Sequence, residues 1–152
     1  MSSTVVLCGS LGSVSSIWDA QLPALEGKRV IRVDHPGHGS APVVEFKTIA
    51  ELANWVLEAV PDSSFSFVGL SLGGAVGMQL ALAAPDRVER LVLASTAARF
   101  DNAEQYVDRA TLVRAEGLEP VVDGVLARWF TPAFEDVAPY REAMLSIDRE
   151  GY

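Results

Sequence analysis

Histidine is nearly missing from this sequence: there are two, His35 and His38, and none follows residue 38. Any chemistry that needs a histidine base late in the chain must obtain it elsewhere. Cysteine is reduced to Cys8, which lies in an apolar run. One cysteine makes no internal disulfide, and its expected role is a small buried core residue in a reducing, cytoplasmic compartment. Positive charge is also scarce, with 12 Lys and Arg against 20 Asp and Glu, a net charge of -8 and no basic cluster. That balance argues against nucleic acid or an anionic membrane as partner. The longest nearly apolar run, residues 73–84, is interrupted by Gln79 and stopped by Pro85, too short to cross a bilayer. The N-terminus has neither the charged segment nor the apolar core of a signal peptide. With 152 residues, 49% of them hydrophobic, and no low-complexity stretch, one globular domain is expected.

What is present alternates. Thr4 to Cys8 is β-branched and apolar without polar interruption, as in a strand covered on both faces. Ile17, Trp18, Leu22 and Leu25 mark a short helix, and Arg29 to Val33 gives a second buried strand. A helix follows behind Thr48, with Glu51 completing a capping box and Ile49, Leu52, Ala53, Val56, Leu57 and Val60 on one face. Residues 65–85 read as strand, turn and helix, and Val88 to Ser95 as a fourth strand. Strands alternating with helices predict a three-layer α/β fold with a mostly parallel sheet of about four strands. Right-handed crossovers then bring the loops that carry the chemistry to one sheet edge. Beyond Thr96 the alternation stops. Asn102 to Glu116, Glu119 to Phe130 and Pro139 to Asp148 are helical stretches with no strand between them. They divide the chain into a core over 1–98 and a helical lid over 99–152.

The chemistry centres on Gly69, Ser71 and Gly73, a G-x-S-x-G between a predicted strand and a predicted helix. A sharp strand-to-helix turn lifts a serine hydroxyl clear of a sheet edge, and glycines flank it where a Cβ would collide. Ser71 is therefore the expected nucleophile. The N–H of Leu72, in the first turn of the new helix, suits a developing negative charge. A second donor is expected in the loop Gly9-Ser10-Leu11-Gly12, from Leu11 or alternatively Ser10. That loop fits neither the dinucleotide fingerprint nor the Walker pattern, so no cofactor is expected. His35 and His38 lack further ligands at metal spacing, so no metal is expected; they are read as shaping the turn Asp34 to Ser40. Trp129 and Phe130 could roof a pocket or simply pack the helix.

These motifs carry a resemblance. Gly9-Ser10-Leu11-Gly12, Ile17-Trp18-Asp19, Gly37-His38-Gly39-Ser40 and the elbow with Gly74 resemble the α/β-hydrolase superfamily. Thr96-Ala97-Ala98-Arg99 and Arg128-Trp129-Phe130-Thr131-Pro132, followed by Glu150-Gly151-Tyr152, resemble the 3-oxoadipate enol-lactonase family within it. The resemblance implies that Ser71 attacks a lactone carbonyl, that Leu72 and Leu11 hold the oxyanion, and that an acyl-enzyme is then hydrolysed. It makes an anionic lactone the substrate, with Arg99 and Arg128 as candidates for its carboxylate beside the plainer reading of surface arginines. Elbow enzymes place their acid and histidine base after the serine, and here no histidine follows Ser71. The expectation is the front part of a hydrolase, cut within the lid and inactive alone, with acid and base outside these residues, in one arrangement on a second chain completing the fold. The alternatives are a silent fragment or binding domain, another serine esterase, or a carbon–carbon bond hydrolase. Lid helices lacking their closing strand are expected to be locally disordered from Asn102 onward.

Overall fold

The computed structural model describes residues 3–101 and 103–152. Four strands, β1 (Thr4–Cys8), β2 (Arg29–Val33), β3 (Phe65–Leu70) and β4 (Val88–Ala94), form one sheet in the order β2-β1-β3-β4. Every pairing is parallel. Between them lie a 3-10 segment over Ser15–Leu25 and helices α1 (Ile49–Ala59) and α2 (Leu72–Ala83). The expected short helix is 3-10, with Pro23 inside its last turn. Proline removes a backbone donor and turns the preceding residue away from the α region.

Alternation along β1 sorts the layers. Val6 and Cys8 face the cluster of Leu52, Val56, Phe67, Val76 and Leu80, under α1 and α2. Val5 and Leu7 face Trp18 and the 3-10 segment on the opposite side. Phe65 and Phe67 are fully buried, each contributing roughly 2–3 kcal/mol through apolar area removed from water. The capping box at Thr48 is formed, the Thr48 hydroxyl accepting from the Glu51 N–H and the Glu51 carboxylate from the Thr48 N–H. The expectation that β2 is buried on both faces is corrected. It is an edge strand with Arg29 and Arg32 exposed, because only β1 pairs with it. β4 is the other edge, with Val92 52% exposed and Leu93 42%.

Three helices complete the chain: α3 (Ala103–Glu116), α4 (Glu119–Trp129) and α5 (Ala138–Leu145). Asn102, the first residue of the expected helix there, lies outside the described residues. The helices enclose their own cluster of Val113, Leu118, Val122, Val125, Leu126, Met144 and Ile147, which also touches Val14. The Asp148 N–H donates to the Gly37 carbonyl at 3.1 Å, and a Cβ on Gly37 would run into the Gly151 backbone. These contacts give the segment a core and an anchor on the loop after β2, against which the expected local disorder can be measured. Amide exchange should therefore be slow in α4 and α5 and fastest in the first turns of α3, where Tyr106 and Val107 are exposed. Fast exchange throughout α4 would contradict that order.

Candidate functional site

The register brings the site together before any side chain is considered. Cys8 pairs with Gly69 and Leu70 with Ala94, so the loop after β1, the turn after β3 and the exit of β4 leave the sheet side by side. Ser71, on the turn between β3 and α2, has φ 54° and ψ -111°. A non-glycine residue there costs about 1–3 kcal/mol and persists only where its surroundings fix it. Three hydrogen bonds do so. Its N–H donates to the Ala94 carbonyl at 2.9 Å. Its carbonyl accepts from the Ala75 N–H at 3.1 Å and the Thr96 hydroxyl at 2.8 Å.

The flanking glycines are set by close approach. A Cβ on Gly69 would overlap the Gly73 carbonyl, and one on Gly73 would overlap the Cys8 carbonyl. The Gly73 N–H donates to the Gly9 carbonyl at 3.0 Å, which ties the elbow to the Gly9–Gly12 loop. In that loop the Gly12 N–H donates to His38 Nε2 at 3.1 Å. Between these committed donors, the N–H groups of Leu11 and Leu72 have no acceptor among the described residues. Both residues line the cleft that holds Ser71. Ser10 lines it too and is buried.

His35 and His38 have a wider role than shaping their own turn. Because a backbone N–H can only donate, His38 Nε2 is the acceptor for Gly12, and Nδ1 carries the proton donated to the Pro36 carbonyl at 3.1 Å. His35 Nε2 donates to the Gly9 carbonyl at 2.9 Å. Both rings are buried and hold the loop that carries Leu11. Burial pushes His35 down to about 4 and His38 below the ordinary histidine value. It pushes the Cys8 thiol up to about 12, which leaves that group protonated and inert.

The buried histidines make stability depend on pH. In the unfolded chain His35 returns to about 6.5, so below that pH the unfolded state binds more protons than the folded one and acid favours unfolding. The contribution is complete above pH 6.5 and is lost as pH falls toward 4, about 3 kcal/mol over the window, with His38 adding in the same direction. Urea melts at pH 7.5 and 4.5 should show this fall. His35→Gln, which keeps an amide donor for Gly9 but does not titrate, should reduce the fall to the part that His38 supplies. An unchanged slope in that variant would contradict the assignment.

A cleft of about 670 Å³ opens over the elbow. It gathers Ser10, Leu11, Ser71, Leu72, Arg128 and Trp129 of the residues expected from sequence. Arg99 is exposed and is not among the lining residues; it leaves the sheet on the loop beyond Ser95, ahead of α3. Trp129 both lines the cleft and packs against the helical cluster, so its two readings are compatible. Sequence reasoning missed Lys47, Phe100, Tyr106 and Arg109, which also line it. Nothing in the sequence marks Arg109 beyond its place in the helical stretch Asn102 to Glu116. Thr96, part of a motif in the sequence, braces the elbow. Its hydroxyl bonds the Ser71 carbonyl, and its side chain occupies the space a Cβ on Gly74 would need.

Residues 3–145 match the alpha/beta hydrolase fold family. The chain is 35% identical over 159 aligned residues to 3-oxoadipate enol-lactonase 2 of Acinetobacter baylyi, an alignment that covers 97% of this chain and 59% of the relative. It is 39% identical over 99 residues to the pimeloyl-[acyl-carrier protein] methyl ester esterase of Photobacterium profundum, covering 64% of this chain and 39% of that one. Among solved structures it superposes with a TM-score of 0.94 and 37% identity on the enol-lactonase from Burkholderia xenovorans, covering 100% of this chain and 62% of that one. The chain thus spans about three-fifths of the length of its lactonase relatives.

Proposed function

The chain belongs to the alpha/beta hydrolase family, and from that premise we propose that it carries the nucleophile and oxyanion hole of a serine hydrolase that opens an enol-lactone, as in the β-ketoadipate route of aromatic catabolism. The observation that carries the reading is the pair of uncommitted N–H groups, Leu11 and Leu72, on the cleft where the strained turn presents Ser71. Ser71 Oγ bonds the lactone carbonyl carbon while its proton passes to a base, and the carbonyl electron pair moves onto oxygen, facing the two N–H groups. Collapse breaks the ring C–O bond. The enol oxygen leaves, takes a proton and settles as a ketone, with one carboxyl held as the Ser71 ester. Water then releases a dicarboxylate.

The base and the acid that orients it are assigned to sequence outside these 152 residues. Both histidines of this chain are spent on Gly9 and Gly12, which leaves no imidazole for Ser71. Residues 1–152 alone are accordingly proposed to bind without turnover. The helical segment, on this reading, is a lid. A lactone is favoured over the acyl-carrier ester because the lactonase alignment covers 97% of the chain, lid included, whereas the esterase alignment covers 64%. The test compares the protein isolated from its own cells on 3-oxoadipate enol-lactone and on methyl pimelate. The proposal expects kcat/KM at least 100-fold higher on the lactone, and a preference for the open-chain ester contradicts it.

A further inference from the structure

Glu150-Gly151-Tyr152 belongs to the family-like motifs of the sequence, yet the chemistry proposed for Ser71 uses none of it. The fold seats this motif on the loops that follow β1 and β2. Gly151 is buried and meets Pro36 and Gly37 backbone to backbone. A Cβ on Gly151 would stand 2.5 Å from the Gly37 Cα and 2.9 Å from the Pro36 carbonyl oxygen. The turn that leads there is closed by the Asp148 carbonyl, which accepts from the N–H groups of Gly151 and Tyr152 at 3.0 and 3.1 Å.

The Tyr152 ring lies against Gly12. A Cβ on Gly12 would stand 3.1 Å from Tyr152 Cε2 and 3.3 Å from Met144 Cε. Gly12 is buried with φ 87°, so the ring and the thioether methyl fill the space its side chain would take. Its N–H donates to His38 Nε2 at 3.1 Å, and His38 Nδ1 donates to the Pro36 carbonyl that Gly151 approaches. Gly12 is therefore held twice by one motif, directly by Tyr152 and through His38 by the loop on which Gly151 sits.

What holds Gly12 also orients its neighbour. The Ser10 carbonyl accepts from the Ser13 N–H at 3.1 Å and the Ser13 hydroxyl at 3.0 Å. Leu11 and Gly12 are the central residues of that turn, the second with the positive φ that favours glycine. Across the trans Ser10–Leu11 peptide the N–H points opposite to the carbonyl, so the grips on Ser10 and on Gly12 together set the direction of the Leu11 N–H. We propose that Gly151 and Tyr152 are positioning residues for the oxyanion hole: they clamp Gly12 and thereby hold the Leu11 N–H, which makes the helical segment a working part of the site as well as its cover. The inference deepens the hydrolase reading and rests on it for the oxyanion, whereas the clamp itself does not. The ring carries the effect, since the Tyr152 hydroxyl is buried with no partner among the described residues.

The test compares the protein from its own cells with its Tyr152→Ala, Tyr152→Phe and Gly151→Ala variants on the enol-lactone. A displaced oxyanion donor weakens transition-state stabilisation and leaves substrate binding alone, so Tyr152→Ala should lower kcat roughly 10–100-fold with KM changed less than about threefold. Tyr152→Phe should keep kcat within about twofold of wild type. Gly151→Ala should follow Tyr152→Ala, and if it fails to fold the two tyrosine variants decide. Leu118→Ala, which removes buried volume from the same helical cluster, should lower the urea midpoint at least as far and hold kcat within about threefold. A wild-type kcat in Tyr152→Ala overturns the proposal, as does a loss that Leu118→Ala reproduces. The clamp is read without chemistry by NMR of the same protein. Exchange of the Gly12 amide, relative to that of Val6 in β1, should quicken about tenfold or more in Tyr152→Ala. An unchanged ratio overturns the clamp. A faster Gly12 amide in a protein that neither opens the lactone nor takes a phosphonate on Ser71 would keep the clamp and overturn the serine mechanism with its oxyanion hole.

Discussion

Ser71→Ala is expected to lower the proposed lactone opening by the protein from its own cells roughly 10⁵-fold or more, the scale seen when a serine nucleophile is removed. Folding should be almost untouched. The strained backbone at residue 71 is held by its own N–H and carbonyl, neither of which depends on the hydroxyl. Alanine meets the same steric cost as serine at φ 54°. Unfolding free energy should change by about 0.5 kcal/mol or less, while Ser71→Gly should gain about 1 kcal/mol by removing the Cβ from a left-handed position. The combination separates a reacting group from a structural one. A Ser71→Ala variant that keeps a tenth of the activity would end the serine mechanism.

Gly73→Ala is expected to be strongly destabilising. Its Cβ would overlap the carbonyls of Cys8 and Gly9, which are backbone and cannot swing aside. The Gly73 N–H to Gly9 bond would be forced open with them, so the elbow would part from the loop that carries Leu11. Overpacking against a fixed neighbour costs about 3 kcal/mol, a large part of the total stability of a domain this size. The control is Gly124→Ala, in the middle of α4, where an added Cβ meets nothing within 4 Å. There the same methyl should stabilise by about 0.5–1 kcal/mol, because alanine is the better helix former and restricts the unfolded chain. Chemical denaturation of the two variants side by side reads both signs. Equal effects would contradict the close-approach account.

The elbow is legible in the sequence because it is local: strand, turn and helix are contiguous, and the glycine spacing reports the steric problem directly. The order of strands and helices is legible for the same reason, through uninterrupted apolar runs and the Thr48 capping box. What escapes depends on contacts between distant residues. Val30 and Ile31 of β2 look like β1 in composition, yet β2 is an edge, which is decided by pairing rather than propensity. The sequence points His38 at its own turn, whereas its acceptor nitrogen is used by Gly12, 26 residues earlier. Arg109 cannot be told from Arg99 by sequence, since only the fold puts Arg109, on α3, among the residues lining the Ser71 cleft and leaves Arg99 on the loop ahead of that helix. The anchoring of the helical segment is likewise a backbone approach, Gly37 against Gly151, which no side-chain pattern announces.

The proposed role of Ser71 is that of a nucleophile activated from outside residues 1–152. It is tested most directly by intact-mass spectrometry of the protein purified from its own cells and treated with a serine-reactive phosphonate, alongside residues 1–152 treated in the same way. One adduct is expected on the native protein, mapped to the peptide that holds Ser71, and none on the isolated 152 residues. No adduct on the native protein, or an adduct on any other residue, would contradict it.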